Sequence, residues 1–167
     1  EVTLISGPSS LTPPKNIKFI SVNTSSDMLD AVEKEIGSST VFVMSAAVSD
    51  YKPEKPSRRK IEKTGDLVLR LKRSHDIVKE IGRRENRPFI IGFAAETGKN
   101  IERVKTKLRE KNMDMIVFND VTEDGSGFDV DTNKVIIIDK YGQVNLPLMS
   151  KDSVADAILD KMVEIRA

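Results

Sequence analysis

The sequence predicts an α/β protein built on a mostly parallel sheet with helices on both faces. Three observations predict it. Apolar runs at 41–44, 88–96 and 115–118 are nearly continuous rather than alternating, as in strands buried on both sides. Between them lie segments whose apolar residues recur at helical spacing. Near the end, two strand-like runs flank Lys140-Tyr141-Gly142-Gln143, which reads as a hairpin and gives the sheet a mixed edge.

The elements follow in order. Residues 2–6 read as a strand, and the Gly-, Pro- and Ser-rich stretch after them as a loop. Residues 17–22 alternate like a second strand. Thr24, Ser25 and Ser26 offer N-caps for a helix with Met28, Leu29, Val32 and Ile36 on one face, closed by Gly37. Residues 40–44 form the next strand. Ile77, Val78 and Ile81 suggest a short helix ending near Gly82, and 88–96 a buried strand. Ile101, Val104 and Leu108 mark a helix over 99–111. Residues 115–118 are a strand ending in Asn119-Asp120. The runs 135–138 and 144–148 make the hairpin. Ser150 caps a last helix carrying Val154, Ile158, Met162 and Ile165.

Composition narrows the function. The chain has 167 residues, 38% hydrophobic and 32% charged, with a net charge of +1. That length suits one domain with a core, and that charge makes no global case for nucleic acid or an acidic membrane surface. There is no Cys, which removes disulfides, thiolate metal sites and a thiol nucleophile. The single His cannot build a histidine metal cluster alone. No apolar stretch approaches the roughly 18 residues of a membrane span, and no signal peptide is expected. A cytoplasmic location is expected by exclusion.

Two strand ends share one signature. "SAAVSD" (45–50) and "GFAAET" (92–97) each place two small residues and then an acid where an α/β sheet binds its ligands. Small side chains let a ligand approach the backbone; they also let elements pack closely, and spacing alone does not choose. After Asp50 comes an excursion of about 25 residues, against 2–6 for an ordinary strand-to-helix connection. In it, Leu67, Leu69 and Leu71 alternate with Val68, Arg70 and Lys72. With 61–63 and the turn Thr64-Gly65-Asp66, they read as a β-hairpin flap. Residues 50–75 hold nine Lys or Arg against four acids, +5 there and −4 over the rest of the chain. Such a run is either a solvated face or a basic flap that closes on a polyphosphate. Arg103, Lys107 and Lys111 form a second cationic stripe at i, i+4, i+8.

Several familiar sites are absent. No G-x-x-x-x-G-K-[ST] and no G-x-G-x-x-G occurs. "DVDTN" (129–133) departs from a calcium loop, because Lys134 replaces the required Gly and Lys140 the closing Glu. His75 has no nucleophile context and reads as a cap or surface residue.

"AAVSDYKP" (46–53), "KIEK" (60–63), "DIV" (76–78), "GFAAET" (92–97), "KLREKNMDMIVFND" (107–120) and "GFDVDTN" (127–133) occur in one order and register. Together they resemble the phosphopantothenoylcysteine synthetase family, in its CTP-using prokaryotic form, over essentially the whole chain. The resemblance implies a Rossmann-like fold and a ligase of coenzyme A biosynthesis. In it, 4′-phosphopantothenate and CTP give an acyl-cytidylate and pyrophosphate, and L-cysteine then displaces CMP. It implies Mg²⁺ as cofactor and CTP as co-substrate, with no flavin in this domain. A homodimer is implied, as is a possible fused flavin-dependent decarboxylase; no nucleic-acid or membrane partner is expected.

Residue by residue, the resemblance implies that Met44, Ser45 and Ala46 line the nucleotide and that Asp50 faces it or its metal ion. Lys60 and Lys63 are the catalytic candidates of the flap. His75, Asp76, Ile77 and Val78 match a nucleotide-binding turn, Phe93 a pocket wall, and Lys107 and Lys111 the helix lysines of the nucleotide site. The chain departs from the pattern at Glu62, where the flap usually carries lysine, and at Ser74-His75, where Asn-Pro often precedes the Asp. It reads as a single synthetase domain over 1–167 that lacks the family's first strand, helix and Gly-rich segment. Two other classes stay open on the residues alone: a nucleotide-binding module without turnover, and a Rossmann-type dehydrogenase.

Overall fold

The computed structural model describes residues 1–57, 59–62, 65–98, 100–122 and 130–167. In chain order the elements are β1 (Thr3–Ser6), β2 (Lys18–Ser21), α1 (Ser25–Glu35), β3 (Val41–Met44), β4 (Tyr51–Pro53), β5 (Leu71–Arg73), α2 (Ile77–Gly82), β6 (Phe89–Glu96), α3 (Ile101–Glu110), β7 (Met115–Asp120), β8 (Thr132–Asn133), β9 (Val135–Asp139), β10 (Gln143–Asn145), β11 (Met149–Ser150) and α4 (Lys151–Arg166). They fall into two compact units, Glu1–Gly37 with Ala46–Ile77, and Ser38–Ser45 with Val78–Ala167.

In the first unit β1 and β2 pair in parallel, Thr3 opposite Lys18 through Ser6 opposite Ser21. α1 starts where the cap residues require. The Thr24 hydroxyl accepts from the Asp27 N–H at 3.1 Å, and the Asp27 carboxylate accepts from the Thr24 N–H at 2.9 Å. This capping box satisfies donors that the first helical turn leaves open. Met28, Leu29, Val32 and Ile36 are all buried, as their spacing predicts. At the far end Lys18 Nζ meets Glu35 at 2.7 Å. A 3₁₀ turn over Ile36–Ser38 closes the helix.

The basic excursion contains a hairpin, but not with the expected pairing. β4 and β5 form the antiparallel ladder, Tyr51 opposite Arg73 and Pro53 opposite Leu71. Glu54 N–H to Arg70 O and Ser74 N–H to Asp50 O extend it by one bond at each end. Residues 67–69, expected to continue the strand, carry no ladder, and Leu67, Val68 and Leu69 are exposed. Alternation promises a strand only where one face is covered. Ile61 and Glu62 form no strand either. Lys63 and Thr64 lie outside the described residues.

The second unit is a five-stranded sheet in the order β10-β9-β7-β6-β3. β3, β6 and β7 run parallel, while β9 and β10 are antiparallel, which is the expected mixed edge. Ile91, Met115, Val117, Val135 and Ile137 pack with Val154 and Ile158 of α4 into one core. Arg87 donates to Asp114 from both terminal guanidinium nitrogens, and Asp114 also accepts from the Ile90 N–H at 2.8 Å, which fixes the entry to β6 and β7. Gly82 is required: a Cβ there would lie 2.1 Å from the Lys111 carbonyl oxygen. β8 and β11, two residues each, pair with one another and have no periodic signal in the sequence.

Candidate active site

In the first unit, Ala46, Ala47 and Ser49 are exposed beyond the end of β3. Residues 46–49 form one wall of a concavity of about 850 Å³. Opposite walls come from Ser6 and Gly7 at the end of β1, from Thr24 to Ser26 at the start of α1, and from Lys52 and Lys72 of the hairpin. Lys52 Nζ donates to Ser26 Oγ at 3.0 Å, so a cation is fixed at the N-terminus of an 11-residue helix. Lys72 stands opposite Lys52 in the ladder. Two lysines beside the positive end of a helix dipole favour an anion. The Asp27 carboxyl is held below its usual range by the hydrogen bonds of Thr24, side chain first and backbone second, and of Asn23. Ser74 Oγ lies buried in the same wall; among the described residues it is the buried side-chain oxygen with no hydrogen-bond partner.

In the second unit, β6 carries the other small-residue end. Ala94 is buried in the core and Ala95 is exposed. Phe93 is 40% exposed. Glu96 closes the strand with a side chain 13% exposed, and accepts from Lys107 Nζ. Arg103 Nε lies 3.7 Å from the other carboxylate oxygen. Across the ladder from Glu96, Asp120 is buried and accepts from the Gly98 N–H at 3.1 Å and from Thr122. Gly98 has φ of +80°, which glycine adopts without strain.

The other candidates are distributed as follows. Met44 ends β3 opposite Gly92 of β6, half-buried, and Ser45 is exposed. Asp50 is exposed at the base of the hairpin, where its carbonyl accepts from the Ser74 N–H at 2.8 Å. Lys60 and His75 are exposed and Asp76 is half-buried. Ile77 and Val78 are 2% and 8% exposed, so their side chains serve the core and only their backbone is left for a ligand. Lys111 caps α3. Lys63 lies outside the described residues. Sequence reasoning did not single out Lys52, Lys72 and Ser26, which meet only once the hairpin register is known, nor Glu96 as the partner of Lys107. Among the described residues no group of three His, Asp or Glu is placed to hold a metal ion, and no helix is long and apolar enough to cross a membrane.

Comparison with known proteins gives these features a context. The chain is 41% identical over 163 residues to the Coenzyme A biosynthesis bifunctional protein CoaBC of Vibrio cholerae, a match covering 95% of this chain and 41% of that protein. The match to the same-named protein of Bacillus subtilis is 41% over 167 residues, 98% of this chain and 41% of the relative. The chain thus spans about two fifths of the length of these relatives. Among solved structures, the C-terminal domain of CoaBC superposes with a TM-score of 0.82 at 36% identity, covering 99% of this chain and 74% of that one. The model of the DNA/pantothenate metabolism flavoprotein C-terminal domain matches residues 1–165. The chain therefore belongs to the family of the DNA/pantothenate metabolism flavoprotein C-terminal domain.

Proposed function

We propose that this chain carries the ligase half of a bifunctional coenzyme A biosynthesis protein and joins 4′-phosphopantothenate to L-cysteine at the expense of CTP. The carboxylate of phosphopantothenate attacks the α-phosphorus of CTP; the bond to the β-phosphate breaks and pyrophosphate leaves. The amine of cysteine then attacks the acyl carbon of the acyl-cytidylate. The acyl–phosphate bond breaks, CMP leaves, the amine loses a proton, and an amide remains. Family membership over residues 1–165 is the observation that carries this reading. The open end of β3, with its exposed alanines beside a cationic concavity, supports it.

The chain's own residues have electrostatic and positioning work in both steps. In the first unit, the small side chains at Ala46 and Ala47 leave the backbone approachable. Lys60 is exposed and free to meet phosphate oxygens. Donors already in place where charge develops are a major source of rate enhancement in phosphoryl transfer. In the second unit, Met44, Ser45, Phe93, Lys107 and Lys111 serve the nucleotide; His75 to Ile77 of the first unit and Val78 of the second would do so through backbone and exposed polar groups. The exposed carboxylate of Asp50 fits Mg²⁺, an ion usually held by one or two carboxylates together with substrate phosphates and water. When bound, the ion offsets triphosphate charge.

The same reading carries a fused flavin-dependent decarboxylase, a cytoplasmic location and a homodimer. The exposed apolar strip Leu67, Val68, Leu69 supports the dimer, because a contiguous exposed apolar patch marks an interaction surface. Product formation by the full-length protein tests the function: amide from phosphopantothenate, cysteine, Mg²⁺ and CTP, with CMP released. Better turnover with ATP would reject the CTP assignment. Binding of NAD(H) without amide formation would favour a dehydrogenase.

A further inference from the structure

Glu96 has no role in the chemistry above, yet its placement is highly constrained. Its backbone is fixed at the end of β6, where the carbonyl accepts from the Val121 N–H at 3.1 Å. Its carboxylate, 13% exposed, meets two cations one helical turn apart on α3: Lys107 Nζ directly and Arg103 Nε at 3.7 Å. α3 is itself anchored by buried Val104 and Leu108, and at its C-terminus Asn112 Nδ2 donates to the Gly82 carbonyl at 2.7 Å. Both backbones are therefore rigid, while lysine alone is not. A free lysine side chain samples many rotamers, and ordering it on a ligand consumes binding free energy. A largely shielded carboxylate is a poor device for stability, since desolvation offsets much of the attraction. It is a good device for fixing where a cation points. One carboxylate against two cations also leaves a net positive charge.

We propose that Glu96 is a positioning residue that holds Lys107 in the orientation in which it receives a nucleotide phosphate. This rests on the reading that Lys107 serves the nucleotide. Glu96 acts through Lys107 and does not itself touch the substrate.

The charge change gives the test a sign. Removing Glu96 makes this region more positive, so simple attraction predicts tighter CTP binding; lost positioning predicts weaker binding. The probe is CTP with Mg²⁺, titrated calorimetrically into the full-length protein and its variants. Glu96→Ala is expected to weaken binding about tenfold, and Glu96→Gln, which keeps an acceptor for Lys107, about threefold. Both variants should lose that margin when Lys107→Ala is already present, because the two residues act as one unit. Salt should weaken CTP binding to Glu96→Ala no less than to the parent. Unchanged or tighter CTP binding in Glu96→Ala, with a folded circular dichroism spectrum, overturns the proposal; if that variant does not fold, the same result in Glu96→Gln overturns it. Lys107→Ala separates the two failures. If it weakens CTP binding while the Glu96 variants do not, positioning alone is wrong. If it leaves CTP binding unchanged, the nucleotide reading of Lys107 falls and the proposal falls with it.

Discussion

The carboxyl ends of β3 and β6 carry the same short signature, two alanines and then an acid, and the fold treats them in opposite ways. After β3, Ala46 and Ala47 are both exposed and border a concavity of about 850 Å³, and Asp50 is exposed. At the end of β6, Ala94 is 5% exposed in the core, and Glu96 is engaged with Lys107. The cause is the ladder. β3 pairs with β6 only as far as Met44 opposite Gly92, so its chain leaves the sheet before the alanines. β6 stays paired with β7 through Glu96 opposite Asp120, so its alanines still alternate between faces. Both alanines beyond β3 are therefore left open, whereas within β6 only Ala95 is exposed and Ala94 is packed in the core.

The largest expected effect probes the basic flap of the first unit chemically. Lys60→Gln should lower turnover about a hundredfold, on the order of 3 kcal/mol, the scale of one preorganised electrostatic group. Fold and CTP affinity should be largely kept. Steady-state amide formation checks this; near-normal rates would remove Lys60 from the mechanism and pass attention to Lys63.

Making one substitution at both ends sharpens the contrast. Ala94→Leu forces three extra carbons into a packed core and should cost about 1–3 kcal/mol of stability. Ala46→Leu, on an open surface, should stay within about 0.5 kcal/mol. It should instead lower ligase activity about tenfold by displacing the bound substrate. Thermal melts and activity assays on the pair separate the two roles. Equal destabilisation at both positions would mean the ends are not different environments.

The smallest effect concerns the capping box at the start of α1. The folded Asp27 carboxyl titrates below its ordinary value because Thr24 and Asn23 hydrogen-bond it. Its contribution is therefore fully present above about pH 3.9, the unfolded value, and is lost as pH falls through the lower folded value. Asp27→Asn should melt below the parent at about pH 6, and the gap should close with acidification. A gap that widens in acid would show that the capping box is not the source.

Most of the second unit is legible in the sequence. The run at 115–118 is buried on both faces, so its continuous apolar character reports its position directly. α1 and α4 are legible because Thr24 and Ser150 cap them as their residue types suggest. The flap is legible as basic and hairpin-forming, but its register is not. Leu67, Leu69 and Leu71 alternate without a covering face, and only Leu71 enters a ladder. Within the candidate site, the cations can be counted from sequence. Their partners cannot: Lys52 with Ser26, and Lys107 with Glu96, meet only through the fold.

The most direct test of the functional account omits cysteine. The full-length protein is mixed with phosphopantothenate, CTP and Mg²⁺, and pyrophosphate is followed in a rapid-quench experiment, with the protein-bound products analysed by mass. The expected result is a burst of pyrophosphate near one equivalent per site, dependent on phosphopantothenate, and a bound acyl-cytidylate that cysteine converts to amide and CMP. No phosphopantothenate-dependent pyrophosphate, with CTP nevertheless bound, would contradict it and leave a nucleotide-binding module without turnover.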